Sequence, residues 1–324
     1  MKKTITAFGE IMLRLAPPDK RLIKDADNFC ASYGGSESNV LVALSALGNT
    51  TKFISQVPDN PLGEGVVKHL RSYNINTDFV KKQGDILGMY FVEEGFGQRA
   101  SDVIYARKNA AITHLTENDF DFDEVFSNCD LFHISGISFA LSESVKNLCF
   151  AFLKEAKRRN VTISFDFNYR SKLWSTDQAK ELFKDVVSYT DIVFCSQKDL
   201  QVFLDIDEKE YLKKYPDTKY LVVREREVLS SDLHKVKALI YTQKGGLSKV
   251  IEKEFAVLER VGGGDAFAAG VLHSLLKNAE DLDKAIDFGV ACFVLKHTVK
   301  GDILSMNEKD IYAYIDHSLK DIGR

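Results

Sequence analysis

The chain has no long apolar run. None of its 324 residues belongs to a stretch able to span a bilayer. The segment Met1-Lys2-Lys3-Thr4-Ile5-Thr6-Ala7-Phe8-Gly9-Glu10 meets an acid by position ten, where a secretion signal needs an unbroken apolar core. A cytoplasmic location is expected. Neither sign of charge dominates: 43 Lys and Arg face 47 Asp and Glu, net −4. That excludes the basic excess of a nucleic-acid or membrane surface. Five cysteines (Cys30, Cys129, Cys149, Cys195, Cys292) fall without any CxxC, and an odd, scattered set reads as free thiols rather than a disulfide frame. Seven histidines show neither HxxxH nor HExxH spacing, which argues against zinc. No Gly-Lys dipeptide occurs, so there is no Walker A loop. A GxGxxG dinucleotide fingerprint would need glycine at Phe267, and that run lies late in the chain. P-loop ATPases and nicotinamide dehydrogenases are both excluded.

What is present is alternation. Short β-rich runs (Thr4–Phe8, Lys52–Gln56, Leu131–Ile134, Thr162–Phe167, Ile192–Phe194, Tyr220–Val223, Ala238–Thr242) are separated by amphipathic helical patterns (Glu37–Leu47, Pro61–Tyr73, Ser142–Arg159, Gln178–Tyr189). This predicts an α/β fold with a central, mostly parallel sheet flanked by helices. Gly48 suits a helix C-terminal cap, and Asn60 before Pro61 suits an N-cap. From Gly264 the chain reads as helix through Leu276, then over Asp283–Lys296 and Glu308–Leu319. Met12–Ala16, Asn28–Tyr33, Gly88–Glu93 and Val103–Arg107 read as extended with no helix between them, predicting a small separate sheet inserted from about 12–33 and 88–107. With no internal repeat or low-complexity linker, residues 1–324 read as a single domain.

The most informative run is Arg260-Val261-Gly262-Gly263-Gly264-Asp265-Ala266-Phe267-Ala268-Ala269-Gly270. Three glycines opening an apolar helix leave backbone N–H groups bare at the positive end of the helix dipole, a ready anion site. An aspartate at its rim would repel a phosphate. It makes sense as a base that takes a hydroxyl proton while the amides hold charge developing on a phosphoryl group. The competing reading is a Gly-rich turn with Asp265 as N-cap. A second cluster, Gly34-Gly35-Ser36-Glu37-Ser38-Asn39, opens another helix. Paired glycines allow close backbone approach, and Asn39 offers both donor and acceptor to a hydroxyl.

Together, in this order and spacing, the two clusters resemble the two signatures of the PfkB carbohydrate kinases, over about Phe8 to Asp302. The resemblance implies a ribokinase-like fold whose small β-sheet acts as a lid. It also implies ATP and Mg²⁺ as cofactors, a sugar bound at Gly34, Gly35 and Asn39, and Gly262, Gly263, Gly264 and Asp265 as anion hole and catalytic base. Lids of this family pair between subunits, so a homo-oligomer is expected. The segments Gly9–Leu15, Phe132–Ile137, Phe165–Trp174 and Lys296–Asp302 are similar to the 2-keto-3-deoxygluconate kinase branch. That branch implies phosphorylation of the terminal hydroxyl of a sugar acid.

Residue chemistry agrees with an acidic sugar. Tyr105 and Arg107, two apart on a strand, share a face, and Arg170 lies just past the C-terminal end of a parallel strand, where ligands bind in open α/β sheets. A carboxylate calls for such arginines and a neutral sugar does not. A solvated strand charge for Arg107 and a core aromatic for Tyr105 are the alternatives. Tyr90 would cover the sugar, and Asp302 completes its set of contacts. Nucleotide contacts are expected from Asn168, Arg170, Ser196, Arg224, Arg226, Gly262 and Gly264. Where the family carries Asn-x-x-Glu to organise magnesium, this chain has Ser196-Gln197-Lys198-Asp199, which leaves Asp199 in an indirect metal role. Glu259-Arg260 stands in place of Asp-Thr, and Gly263 in place of alanine. Arg224-Glu225-Arg226-Glu227 replaces a Gly-x-x-Gly nucleotide loop. These departures keep two rivals in play: a fructokinase or other sugar kinase of the family, and a sugar-binding protein without catalysis.

Overall fold

The structure is a computed structural model that describes residues 2–316. Fourteen strands are found among them: β1 Thr4–Phe8, β2 Met12–Ala16, β3 Cys30–Gly34, β4 Thr50–Val57, β5 Ile75–Asn76, β6 Val80–Lys82, β7 Met89–Glu93, β8 Asp102–Ala106, β9 Leu131–Ser135, β10 Thr162–Asp166, β11 Ile192–Cys195, β12 Tyr220–Ser230, β13 Leu233–Thr242 and β14 Ile251–Ala256. Ten form one sheet in the order β14-β13-β12-β11-β10-β9-β1-β4-β5, with β6 also on β4. Pairing is parallel from β12 to β5 and antiparallel only at the β12–β13–β14 edge. Both faces are covered, as the continuous apolar strands require. Ile5 and Ala7 of β1 pack on one side with Val40, Leu44, Phe267 and Phe293. Phe8 turns to the other, with Phe132, Phe152, Phe165 and Phe183.

The flanking helices start and stop where local chemistry dictates. The Asn60 side chain accepts from the N–H groups of Leu62 and Gly63. Ser142 caps Glu143–Arg158, and Gly48 takes φ 92° after Ser36–Ala46. The helix that begins at Thr176 ends at Val186 and tightens into a 3-10 turn over Val187–Tyr189. The last helix covers Glu308–Ile315. The expected continuation to Leu319 lies partly outside the described residues.

A second sheet, β3-β2-β7-β8, stands apart from the first, within a residue or two of the four extended segments expected. Its inner face carries Met12, Ala16, Tyr90 and Val92. One expectation needs correction. The stretch after Val223 is no loop, because β12 runs on to Ser230 and pairs with β13 in a hairpin, Arg224 opposite Ala238 and Arg226 opposite Val236. Alternating Arg and Glu has a strand's period of two, so both arginines share one face.

Candidate active site

A cleft of about 780 Å³ opens at the C-terminal ends of the parallel strands, between the large sheet and the small one. The N-termini of the helices Ser36–Ala46 and Gly263–Lys277 both point into it. Gly262 sits at φ 82° with no side chain capping the helix behind it. The N–H groups of Gly263, Gly264 and Asp265 find no acceptor among the described residues. Unsatisfied amides at a helix N-terminus attract an anion.

Positive charge surrounds this spot. Arg170, Arg224, Arg226 and Arg260 line the cleft, and none of them makes an ion pair among the described residues. The Arg226 guanidinium is pushed down to about 10 by burial first, then by repulsion from Arg260, Arg224 and Arg170. Arg224 lies 4.9 Å from the Phe293 ring centre and 5.5 Å from that of Phe267. Arg170 and Arg260 are exposed and Arg224 and Arg226 half-buried, so the mutual repulsion is partly offset by solvent and, at Arg224, by Asp166, Asp199 and Asp265, and an incoming anion would relieve the rest. Arg260 was not singled out from sequence. Its setting beside the glycines becomes visible only in three dimensions.

Asp265 is held at the floor. Ser36 Oγ donates to its Oδ1 at 2.8 Å and Asn39 Nδ2 to its Oδ2 at 2.7 Å. Burial raises its pKa, while these two bonds and the charges of Arg170 and Arg224 act against that rise. Asn39 thus has a role beyond the one expected: it lines the cleft, its amide nitrogen gives one hydrogen to Asp265 and keeps a second, and its oxygen accepts from Gly35 N–H at 3.3 Å, so it also orients the carboxylate.

Glycines line the rest because neighbours leave no room. A Cβ at Gly34 would overlap the Tyr90 hydroxyl, and one at Gly262 the carbonyl oxygen of Asp302. A Cβ at Gly263 would run into the His297 ring, which accounts for glycine where the family carries alanine. Gly264 is freer, since its Cβ would meet only Arg224 Nη2 at 3.3 Å.

The expected sugar contacts divide into two groups. Tyr105, Arg107 and Arg170 line the cleft, with Arg107 5.6 Å above the Tyr105 ring. Arg107 is not a solvated strand charge: it is buried in an ion pair with Glu10, whose carboxyl burial raises and Arg107 lowers. Arg170 is exposed, and its side chain makes one hydrogen bond among the described residues, to its neighbour's carbonyl at 3.1 Å. Asp302 lines the cleft too, but accepts from Tyr90 and lies 3.0 Å from Arg14 Nη1. Tyr90 and Asp302 thus satisfy each other in a buried network with Arg14 and Glu259 that sequence reasoning missed.

On the opposite wall, Asp166 ends β10. Burial pushes it up to about 7, with Arg224 acting the other way. It was not among the residues expected to act. Asn168, at φ 38°, donates its N–H to Asp166 Oδ1 at 3.0 Å and its Nδ2 to Ser36 Oγ at 2.7 Å. The second Asp166 oxygen meets no donor among the described residues. Ser196 and Asp199 cap each other, Ser196 Oγ donating to Asp199 at 2.7 Å. No three His, Cys, Asp or Glu side chains converge on a metal site among the described residues.

The 2-dehydro-3-deoxygalactonokinase of Haloferax volcanii is 30% identical over 318 residues, covering 96% of each chain. A probable chloroplastic fructokinase of Arabidopsis thaliana is 30% identical over 322 residues, 94% of this chain and 80% of that one. Among solved structures, the 2-dehydro-3-deoxygluconokinase of Thermotoga maritima superposes with a TM-score of 0.92 at 31% identity, over 97% of this chain and 99% of that one. The fold is ribokinase-like. The profile of the pfkB family carbohydrate kinases matches residues 2–309, and with a cleft that joins a buried carboxylate to a helix N-terminus of unsatisfied amides, this chain belongs to that family and is a sugar kinase.

Proposed function

We propose that the protein transfers the γ-phosphoryl group of ATP to the terminal hydroxyl of a 2-keto-3-deoxy sugar acid, with 2-keto-3-deoxygluconate as substrate. The observation that carries this is the meeting of Asp265, bare amides and unpaired Arg170 in one cleft. The names of the Haloferax and Thermotoga relatives support the substrate class. A fructokinase fits less well, since a neutral sugar offers Arg170 nothing to bind. A non-catalytic role loses its motive, because Arg224 and Arg226 line the cleft from a strand.

In this reading Asp265 accepts the proton of the sugar hydroxyl as the new O–P bond forms and the bond to the β-phosphate oxygen breaks, releasing ADP. The amides of Gly262, Gly263 and Gly264 and the arginines hold the charge on the moving group. Tyr105 walls the sugar, and the small sheet acts as a lid that excludes water. Asp166, with an oxygen to spare, and Asp199, in the short helix Gln197–Asp199 that follows β11, are hard donors of the type that holds Mg²⁺ together with phosphates. The ion, when bound, neutralises phosphate charge. The exposed Phe29, just before β3, and Ile104 of β8, with the half-buried Phe91 of β7 against Phe29, support pairing of two lids in a homo-oligomer.

The test is ADP release with ATP and Mg²⁺ against a panel holding both 2-keto-3-deoxyhexonate epimers, fructose and ribose. Faster turnover of fructose than of 2-keto-3-deoxygluconate would overturn the substrate assignment.

A further inference from the structure

Ser36 stands at the first turn of its helix, 9% exposed, between two residues that the chemistry needs. A serine hydroxyl has one hydrogen to give. Asn168 Nδ2 donates to Ser36 Oγ at 2.7 Å, which occupies a lone pair. The one hydrogen is left for Asp265 Oδ1, 2.8 Å away. Asn168 is fixed in turn by its left-handed backbone and its N–H bond to Asp166. A directed chain therefore runs from the end of β10 to the base: Asp166 accepts from Asn168, Asn168 donates to Ser36, and Ser36 donates to Asp265.

We infer that Ser36 is a positioning residue of the phosphoryl transfer, its hydroxyl fixing the orientation and the ionised form of the Asp265 carboxylate. This rests on Asp265 being the base. Asn39 holds Oδ2 alone, so without Ser36 the carboxylate keeps one anchor and can swing about it. The hydroxyl bond also favours the charged form, which burial disfavours. The other groups that face Asp265 are Arg170, Arg224, Asp166 and, from the helix Leu282–Lys296, Lys296. Glu37, one residue along from Ser36, is turned away: it accepts from Ser135 and Ser138 at 2.7 and 2.8 Å.

The sign follows. Removing a donor to a carboxylate raises its pKa, so the acid limb of the pH–rate profile, where Asp265 loses its proton, moves to higher pH. Ser36→Ala is expected to shift that limb up by about one unit, so that kcat falls by up to about tenfold at pH values on the acid side of the limb and little on the plateau above it. KM for ATP and for the sugar acid should stay within about threefold, because Ser36 touches neither in this reading. Asn168→Gly, which tolerates φ 38°, frees the hydroxyl to turn and should move the limb in the same direction by less. Ser36→Thr should return the limb towards the parent's. A Ser36→Ala enzyme with the parent's acid limb would overturn the proposal, even if it melted lower, since that is a packing role only. Asp265→Asn separates the two claims: were it to turn over normally, the base assignment would fail, whereas an inactive Asp265→Asn beside an unmoved Ser36→Ala limb would sink Ser36 alone.

Discussion

The three glycines ahead of Asp265 should not tolerate alanine equally, and the structure ranks them. At Gly262 the backbone is left-handed, which costs a residue with a Cβ about 1–2 kcal/mol. The new methyl also falls on the Asp302 carbonyl, a backbone atom that cannot rotate aside, adding overpacking of about 1–3 kcal/mol. At Gly263 the backbone is helical and the obstacle is the His297 ring, so only the overpacking cost of about 1–3 kcal/mol applies. That ring is wedged 4.5 Å from Phe293 and 4.9 Å from Phe255, with Nδ1 2.6 Å from the Phe293 carbonyl, and has little freedom to yield. At Gly264 the methyl meets the end of a flexible guanidinium, and the alanine gains about 1 kcal/mol or less of helix propensity. Urea unfolding midpoints should therefore fall in the order Gly264→Ala, Gly263→Ala, Gly262→Ala, with Gly264→Ala close to the parent. Gly264→Ala should still raise KM for ATP, because its methyl displaces Arg224 from the anion hole. The sharper test is the pair Gly263→Ala and His297→Ala. If the ring is the obstacle, the double variant recovers about 1–2 kcal/mol relative to the sum of the singles. Strict additivity, or a Gly263→Ala protein as stable as the parent, would refute the packing argument.

Asp265→Asn keeps the side chain's shape and removes its basicity, so kcat should fall by about two orders of magnitude or more while ATP still binds, as measured by turnover and calorimetry. Arg170→Ala should raise KM for the sugar acid about tenfold to a hundredfold, the value of one charge-assisted hydrogen bond, and leave the melting temperature unmoved. Arg107→Ala should behave differently, destabilising the fold by about 3–5 kcal/mol because Glu10 stays buried without its partner; Glu10→Gln in the same chain should restore most of that loss in urea unfolding. Asp166, pushed up to about 7, binds its proton more tightly folded than unfolded, so it withdraws stability as pH rises from about 4 to 7. Asp166→Asn should remove that part of the slope, and the difference between variant and parent melting curves isolates it from Asp302, which carries the same sign, and from His133, which carries the opposite one.

The parallel sheet and the small sheet were legible because apolar periodicity and cap residues are local signals. Asn60 and Gly48 marked their helix ends from sequence alone. The β12–β13 hairpin was missed for a local reason too. Arg224-Glu225-Arg226-Glu227 was weighed against a glycine-containing loop, and its period of two went unused. β14 was also missed, although Ile251-Glu252-Lys253-Glu254-Phe255 alternates in the same way. The places of Gly262, Gly263, Gly264 and Asp265 in the cleft were readable because the signal is packed into four neighbours. Asp166, Ser36 and His297 were not, since each acts through a residue far away in the chain. Ser36 meets Asp265 across 229 positions, and nothing in a spacing announces that.

The buried network around Arg14 shows why the two sheets work as one object. Arg14 lies on β2 of the small sheet and pairs with Glu259 and Asp302 of the large body, and with Glu94 just past β7 at 3.5 Å. Glu259 Oε1 accepts the N–H of Val261 at 3.2 Å, so the acid fixes the backbone that leads into Gly262. Lys296, buried beside them and pushed down to about 8 by burial, is drawn back towards its charged form by Glu259 and Asp302. Two cations thus answer the acids in a place where an unpaired charge would cost several kcal/mol, on the order of 3–5. Tyr90 donates to Asp302 from the small sheet, and the Asp302 carbonyl abuts Gly262 at the start of the glycine-led helix. One buried residue therefore touches both walls of the cleft, through its carboxylate on one and its backbone carbonyl on the other. The glutamate and arginine that replace the family's usual Asp-Thr fit this arrangement: Glu259 reaches inward to Arg14, while Arg260 faces the cleft and adds to its positive charge.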